Sequence, residues 1–146
     1  MDWSSDIPVI LLAVVCGAII GIERQFRHKP AGLRTNIMIC LGAAVFTLIS
    51  ERMASESHDS ITRIAAQIVT GVGFLGAGAV IQDRGGIHGL TTAATIWLVA
   101  SIGMACGARL YYLAAITTVL ALVVLVGLGH LERYLDRREE KQRKDH

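Results

Sequence analysis

The sequence predicts an all-α integral membrane protein, a bundle of five short transmembrane helices with its amino terminus outside and its carboxyl terminus cytoplasmic. Three observations predict it. Hydrophobic residues make up 53% of the 146 and give a mean hydropathy of +0.52, and they fall in long runs rather than amphipathic stripes. Five of these runs, residues 7–22, 36–50, 64–81, 93–108 and 112–129, contain no Asp, Glu, Lys or Arg. Eleven of the fourteen Lys and Arg fall on segments that this orientation places in the cytoplasm, leaving Arg52, Arg63 and Arg109 outside. Retention of positive charge in short cytoplasmic loops favours that arrangement over its inverse.

The first run follows Asp2 and Asp6 with no preceding Lys or Arg, so it reads as a retained span and not a cleavable signal peptide. A helix needs roughly 20 residues to cross about 30 Å of hydrocarbon. Several runs are shorter than that, so flanking groups must complete them. Trp3, Tyr111 and Tyr112 suit the headgroup level, and Arg24, Arg109 and Arg133 can snorkel to it. The second run is short enough to read alternatively as a re-entrant or interfacial segment.

The third run is the richest in glycine. At about 100° per residue, Gln67, Gly71, Phe74 and Gly78 share one helix face, with Gly73, Gly76 and Ala77 roughly opposite. Small residues let helix backbones approach closely where lipid removes the hydrophobic drive for association, so this span is expected at the centre of the bundle. Gly17 with Gly21, and Gly103 with Gly107, repeat the spacing in the first and fourth spans, and faces of this kind also suit a homo-oligomer. A few residues around Arg109 join the fourth and fifth runs, which must form a tight antiparallel hairpin. Residues 1–131 form the transmembrane domain, and 132–146 a charged cytoplasmic tail. Glu139 with Arg143 and Glu140 with Lys144 are spaced to extend the fifth helix into water.

The basic residues flank spans and alternate with acids in the tail, which is no nucleic-acid footprint. Cys16, Cys40 and Cys106 all fall in spans as small apolar residues, without metal-ligand or disulfide spacing. No catalytic constellation stands out, so an enzyme and a bound cofactor are not expected; whether a metal binds is left open.

Glu23, at the cytoplasmic boundary, is costly unless paired or hydrated. It either binds a cation or proton at a cavity mouth, or pins two helix ends in an ion pair, for which Arg34 is a candidate partner. Gln67 and Thr70 of the third span, with Thr91, Thr92 and Thr95 of the fourth, either hydrogen-bond between helices or build a small oxygen site for a hard cation such as magnesium. Asp83, Arg84 and His88 lie among Gly85, Gly86 and Gly89. That segment reads as a tight cytoplasmic connection, with a phosphate cradle the weaker alternative in the absence of a Walker pattern.

The stretches Gly21-Ile22-Glu23-Arg24-Gln25, Ala31-Gly32-Leu33-Arg34-Thr35, Arg63-Ile64-Ala65-Ala66-Gln67, the run 71–78 and Gly89-Leu90-Thr91-Thr92-Ala93-Ala94 resemble the MgtC/SapB family of bacterial inner-membrane proteins, over about residues 8–107. The resemblance implies a multi-pass inner-membrane protein that supports growth when magnesium is scarce. In some relatives it implies a virulence role through survival inside host cells, with the proton-translocating ATP synthase as a possible membrane partner. Carried over by position, the functional polar residues are Glu23, Arg24, Arg34, Thr35, Arg63, Gln67, Thr91 and Thr92. Two departures stand out: many relatives continue into a soluble domain that is not expected here, and Asp59 and Arg63 lie four apart where the family's acid and base are closer. The expected function is a non-enzymatic membrane regulator of ion homeostasis. The alternative is a transporter or channel for magnesium, another cation or a small solute, which needs a solvated midplane site.

Overall fold

The computed structural model describes residues 3–53, 58–83 and 86–144. After a 3-10 turn at Trp3–Ser5 come α1 (Ile7–Phe26), α2 (Leu33–Met53), α3 (His58–Gly78), a hairpin of β1 (Ile81–Asp83) and β2 (Gly86–His88), α4 (Leu90–Gly107) and α5 (Tyr111–Lys144). Among the described residues, four helical segments are long and apolar enough to cross a membrane: α1, α2, α4 and Tyr111–Gly129 of α5. The second run, the shortest expected span, is thus a full helix. The third run corresponds to α3, whose described side chains begin at Arg63. Side chains of the tail pairs Glu139–Arg143 and Glu140–Lys144 lie outside the described residues, although α5 itself runs on to Lys144.

Large apolar side chains face outward, among them Leu11, Val15, Phe46, Trp97, Leu120 and Val123, while the interior mixes Ala and Cys with a few Val, Ile and Leu. Water would penalise this arrangement and lipid does not; the chain is a membrane protein. One core seam joins Val9, Ala13, Cys16 and Ile20 of α1 to Cys40, Ala44 and Leu48 of α2 and to Val99, Ile102 and Cys106 of α4. The three cysteines are all free and buried in it.

The centre of the bundle is not the α3 that glycine placement suggests: α4 touches every other helix, and α2 receives the close-packed glycines of α1 and α4. A Cβ on Gly17 would stand 2.8 Å from the Asn36 carbonyl oxygen, and one on Gly21 2.8 Å from the Leu33 Cα. Further along the same face of α2, a Cβ on Gly103 would collide with the Cys40 carbonyl oxygen, and one on Gly107 would lie 2.6 Å from that of Ala44. Both pairs of small residues therefore press onto α2. On α3, only Gly76 has a neighbour, Ala93 of α4, while Gly71, Gly73 and Gly78 have nothing within 4 Å of a Cβ position among the described residues. Sequence spacing finds close-contact faces but not the surface that receives them.

Helices α1 and α4 end alike. His28 and Arg109 take left-handed φ values of 53° and 58°. Lys29 and Leu110 donate their N–H groups back to the carbonyls of Arg24 and Ala105, as His28 and Arg109 do to those of Gln25 and Cys106. This is the Schellman termination, usually glycine at its left-handed position. The glycine-rich segment is an antiparallel hairpin, with Ile81 opposite His88 and Asp83 opposite Gly86, where a plain turn was expected. Gly89 then opens α4 at φ 90°, so close to the Ala79 carbonyl that no Cβ fits.

Candidate functional site

The helix ends gather charge into two layers, here named the Asp6 rim and the Glu23 rim. At the Asp6 rim, Asp6 heads α1 without capping it by side chain and is only 6% exposed. It is paired with Arg52 from the end of α2 and, at 3.4 Å, with Arg109 from the α4–α5 connection. Arg109 also binds Glu51. That hydrogen bond, with the nearby negative charge of Glu51 and Asp6, holds the Arg109 guanidinium above its ordinary pKa.

At the Glu23 rim, the end of α1 carries Glu23 and Arg24, both buried. The Arg24 Nε donates to Glu23 Oε2 at 2.6 Å and its Nη2 to Oε1 at 3.1 Å. Arg27, one turn on, approaches Oε1 at 2.5 Å and donates to the Val126 carbonyl of α5. One carboxylate thus sits between two guanidiniums, leaving an excess of one positive charge. Arg34 is exposed at the start of α2; Arg24 and Arg27, its neighbours on the helix, take the place suggested for it beside Glu23. Asn36, fully buried, donates its Nδ2 to the carbonyls of Ala31 and Gly32 at 2.8 Å each. That locks the loop 27–32 onto α2, with Gln25 reaching the Leu33 N–H.

The two rims fix the run of each helix. Since Arg27 meets Val126 and Arg109 meets Asp6, α1 and α5 run the same way. α2 runs back toward Arg52, and α4 runs parallel to α2. α3 leaves the Asp6 rim after α2 and returns beside Pro30 and Ala31, where Ala79 joins them around a groove.

That groove, about 710 Å³, lies between α2 and α3 with Ile96 of α4 among its lining. Thr35, Met38, Gly42 and Phe46 form one wall and Ile64, Gln67, Gly71 and Leu75 the other. The carried-over residues therefore do not converge. Glu23 and Arg24 are together; Thr35 and Gln67 face the same groove; Arg34, Arg63 and Thr91 are exposed, and Thr92 is buried. Thr70 and Thr95 return their hydroxyls to the carbonyls of Ala66 and Thr91 in their own helices, and Thr70 is exposed. Of the five residues suggested for an oxygen site, Gln67 lines the groove, Thr70 and Thr91 are exposed, and Thr92 and Thr95 are buried. Among the described residues, no three His, Cys, Asp or Glu side chains are placed to hold a metal.

Sequence reasoning also missed Asp6, Arg52 and Arg109, whose separations of 46 and 103 residues leave no local motif. The one usable signal was that all three flank spans on the same expected side. In the sequence Asn36 is merely the first residue of the second apolar run. A lone amide between Thr35 and Ile37, just after Pro30 and Gly32, was the available signal.

The MgtC family model matches residues 10–134. The chain is similar to "Protein MgtC" of Brucella abortus (strain 2308), 47% identical over 124 residues, covering 85% of this chain and 51% of that protein. It is 49% identical over 113 residues to "Protein MgtC" of Salmonella typhimurium (strain 14028s / SGSC 2262), covering 77% and 48%. It is 48% identical over 125 residues to "Putative magnesium transporter YhiD" of Escherichia coli (strain K12), covering 82% and 58%. The chain spans about half the length of these curated relatives. No solved structure matches.

Proposed function

Since this chain belongs to the MgtC family, we propose that it is a non-enzymatic inner-membrane regulator that supports adaptation to scarce magnesium. It crosses the membrane five times, amino terminus outside, with the Asp6 rim periplasmic and the Glu23 rim cytoplasmic. The traverse of α3 between the rims supports five passes, and the basic side chains flanking the Glu23 rim support the orientation.

The observation that carries the regulator reading is the closure of Glu23 by Arg24 and Arg27. A carboxylate already compensated by two guanidiniums repels a divalent cation instead of recruiting it. The seam of Val9, Ala13, Cys16, Ile20, Cys40, Val99 and Ile102 is apolar and close-packed where a transport path needs hydrated polar groups. Regulation then proceeds by packing against another membrane assembly or a second copy. The exposed side of α3 that carries Gly73 and Ala77 is a close-approach surface for this.

The transporter reading has one observation in its favour beyond the name of the Escherichia coli relative: Gln67 places an amide on the wall of the α2–α3 groove. Liposomes separate the two. The purified protein is expected to give no saturable magnesium flux, while Glu23→Ala in cells impairs growth at low magnesium. Robust flux abolished by Glu23→Ala or Gln67→Ala would reverse the assignment.

A further inference from the structure

The groove between α2 and α3 is apolar apart from Gln67 and Thr35 and ends beside basic groups. On α2 its lining runs from Thr35 to Phe46, about 17 Å at 1.5 Å per residue. That is close to the thickness of one leaflet's hydrocarbon, half of the roughly 30 Å core. Gly42, Gly71 and Gly78 leave this space unfilled, since a Cβ at each would meet nothing within 4 Å among the described residues.

The end of the groove at Pro30, Ala31 and Thr35 differs in chemistry. Lys29 and Arg34 stand exposed beside it, and neither side chain engages an acidic group among the described residues. The first turn of α2 presents its amino end at the same place, and the dipole of a helix start favours negative charge. Asn36 holds this loop against α2, so the cations are carried on a fixed frame. Positive charge at the rim of an apolar groove between membrane helices matches a lipid with an anionic headgroup.

We propose that the α2–α3 groove seats an acyl chain of one anionic phospholipid, its phosphate lying against Lys29, Arg34 and the amino end of α2. The assignment of this lipid to the cytoplasmic leaflet rests on the orientation proposed above. Occupancy of the groove does not, so lipid binding and the regulator reading fail separately.

The test uses the full chain in nanodiscs of phosphatidylcholine doped with phosphatidylglycerol, followed by gentle release and native mass spectrometry of retained lipid. Phosphatidylglycerol is expected to be retained in preference to phosphatidylcholine. Lys29→Gln and Arg34→Gln are each expected to lower that preference about fivefold while lipid is still retained. Gly71→Leu, which extends a side chain into the open groove, is expected to lose both lipids while the protein keeps its melting temperature. Equal retention of the two lipids by the unmodified protein would overturn the proposal, as would undiminished retention in a folded Gly71→Leu variant. Loss of a dimer in that variant with lipid retention unchanged would also overturn it, by assigning the groove to a second copy.

Discussion

His28 and Arg109 occupy equivalent left-handed positions at the ends of α1 and α4, but only one side chain has a reason to be there. Arg109 joins Glu51 and Asp6, which offsets a backbone cost of about 1–2 kcal/mol for a non-glycine residue. His28 is exposed in the loop. His28→Gly is therefore expected to raise stability by up to about 1 kcal/mol in thermal unfolding of the detergent-solubilised protein. Arg109→Gly relieves the same strain but loosens the Asp6 rim, and should give no net gain in that assay. Glu23→Gln leaves two guanidiniums facing each other at a buried rim and should cost about 3 kcal/mol. Adding Arg24→Gln to it should recover part of that loss, and two strictly additive penalties would show that the pair is not coupled. The importance of Glu23 is readable from one carboxylate at the end of an apolar run. Its partners are not, because Arg24, Arg27 and Arg34 all lie within reach in sequence, and only the helical path past Phe26 selects the first two.

Among the elements, the helix pairs are set by which glycines find a facing backbone. Gly103→Leu should disrupt the α2–α4 contact at a cost of about 3 kcal/mol or more, because the Cys40 carbonyl lies where the new Cβ must go. Gly73→Ala, in open space, should stabilise α3 by about 0.5–1 kcal/mol, and the paired melting curves check both. The apolar runs made the helices legible, and the Schellman ends moved their limits by only a few residues. The receiving role of α2 was not legible, since its surface of Cys40, Ala43 and Ala44 has no glycine signature; its own Gly42 faces the groove. The hairpin was hidden for a different reason. Strands of three residues, with glycine at 85, 86 and 89, carry too little alternation to separate them from a turn.

For the whole molecule, the alternation of helix directions between two ionic rims makes an orientation testable. Under the proposed topology, a membrane-impermeant thiol reagent applied to intact spheroplasts should label a cysteine introduced at Ser5 and leave one introduced at His28 unlabelled until the membrane is opened. The reverse pattern would invert the protein in the bilayer. The rims also act as a ruler. From Asp6 to Glu23 along α1 is about 26 Å at 1.5 Å per residue, and both carboxylates are tied by ion pairs at fixed heights. A bilayer with a core of about 30 Å is expected to thin around this protein even with the helices upright, because tilting would shorten their reach further. Thin membranes should therefore suit it best: its melting temperature is expected to fall steadily as nanodisc acyl chains lengthen, and mismatch of this kind would draw it toward the thinner patches of a mixed membrane.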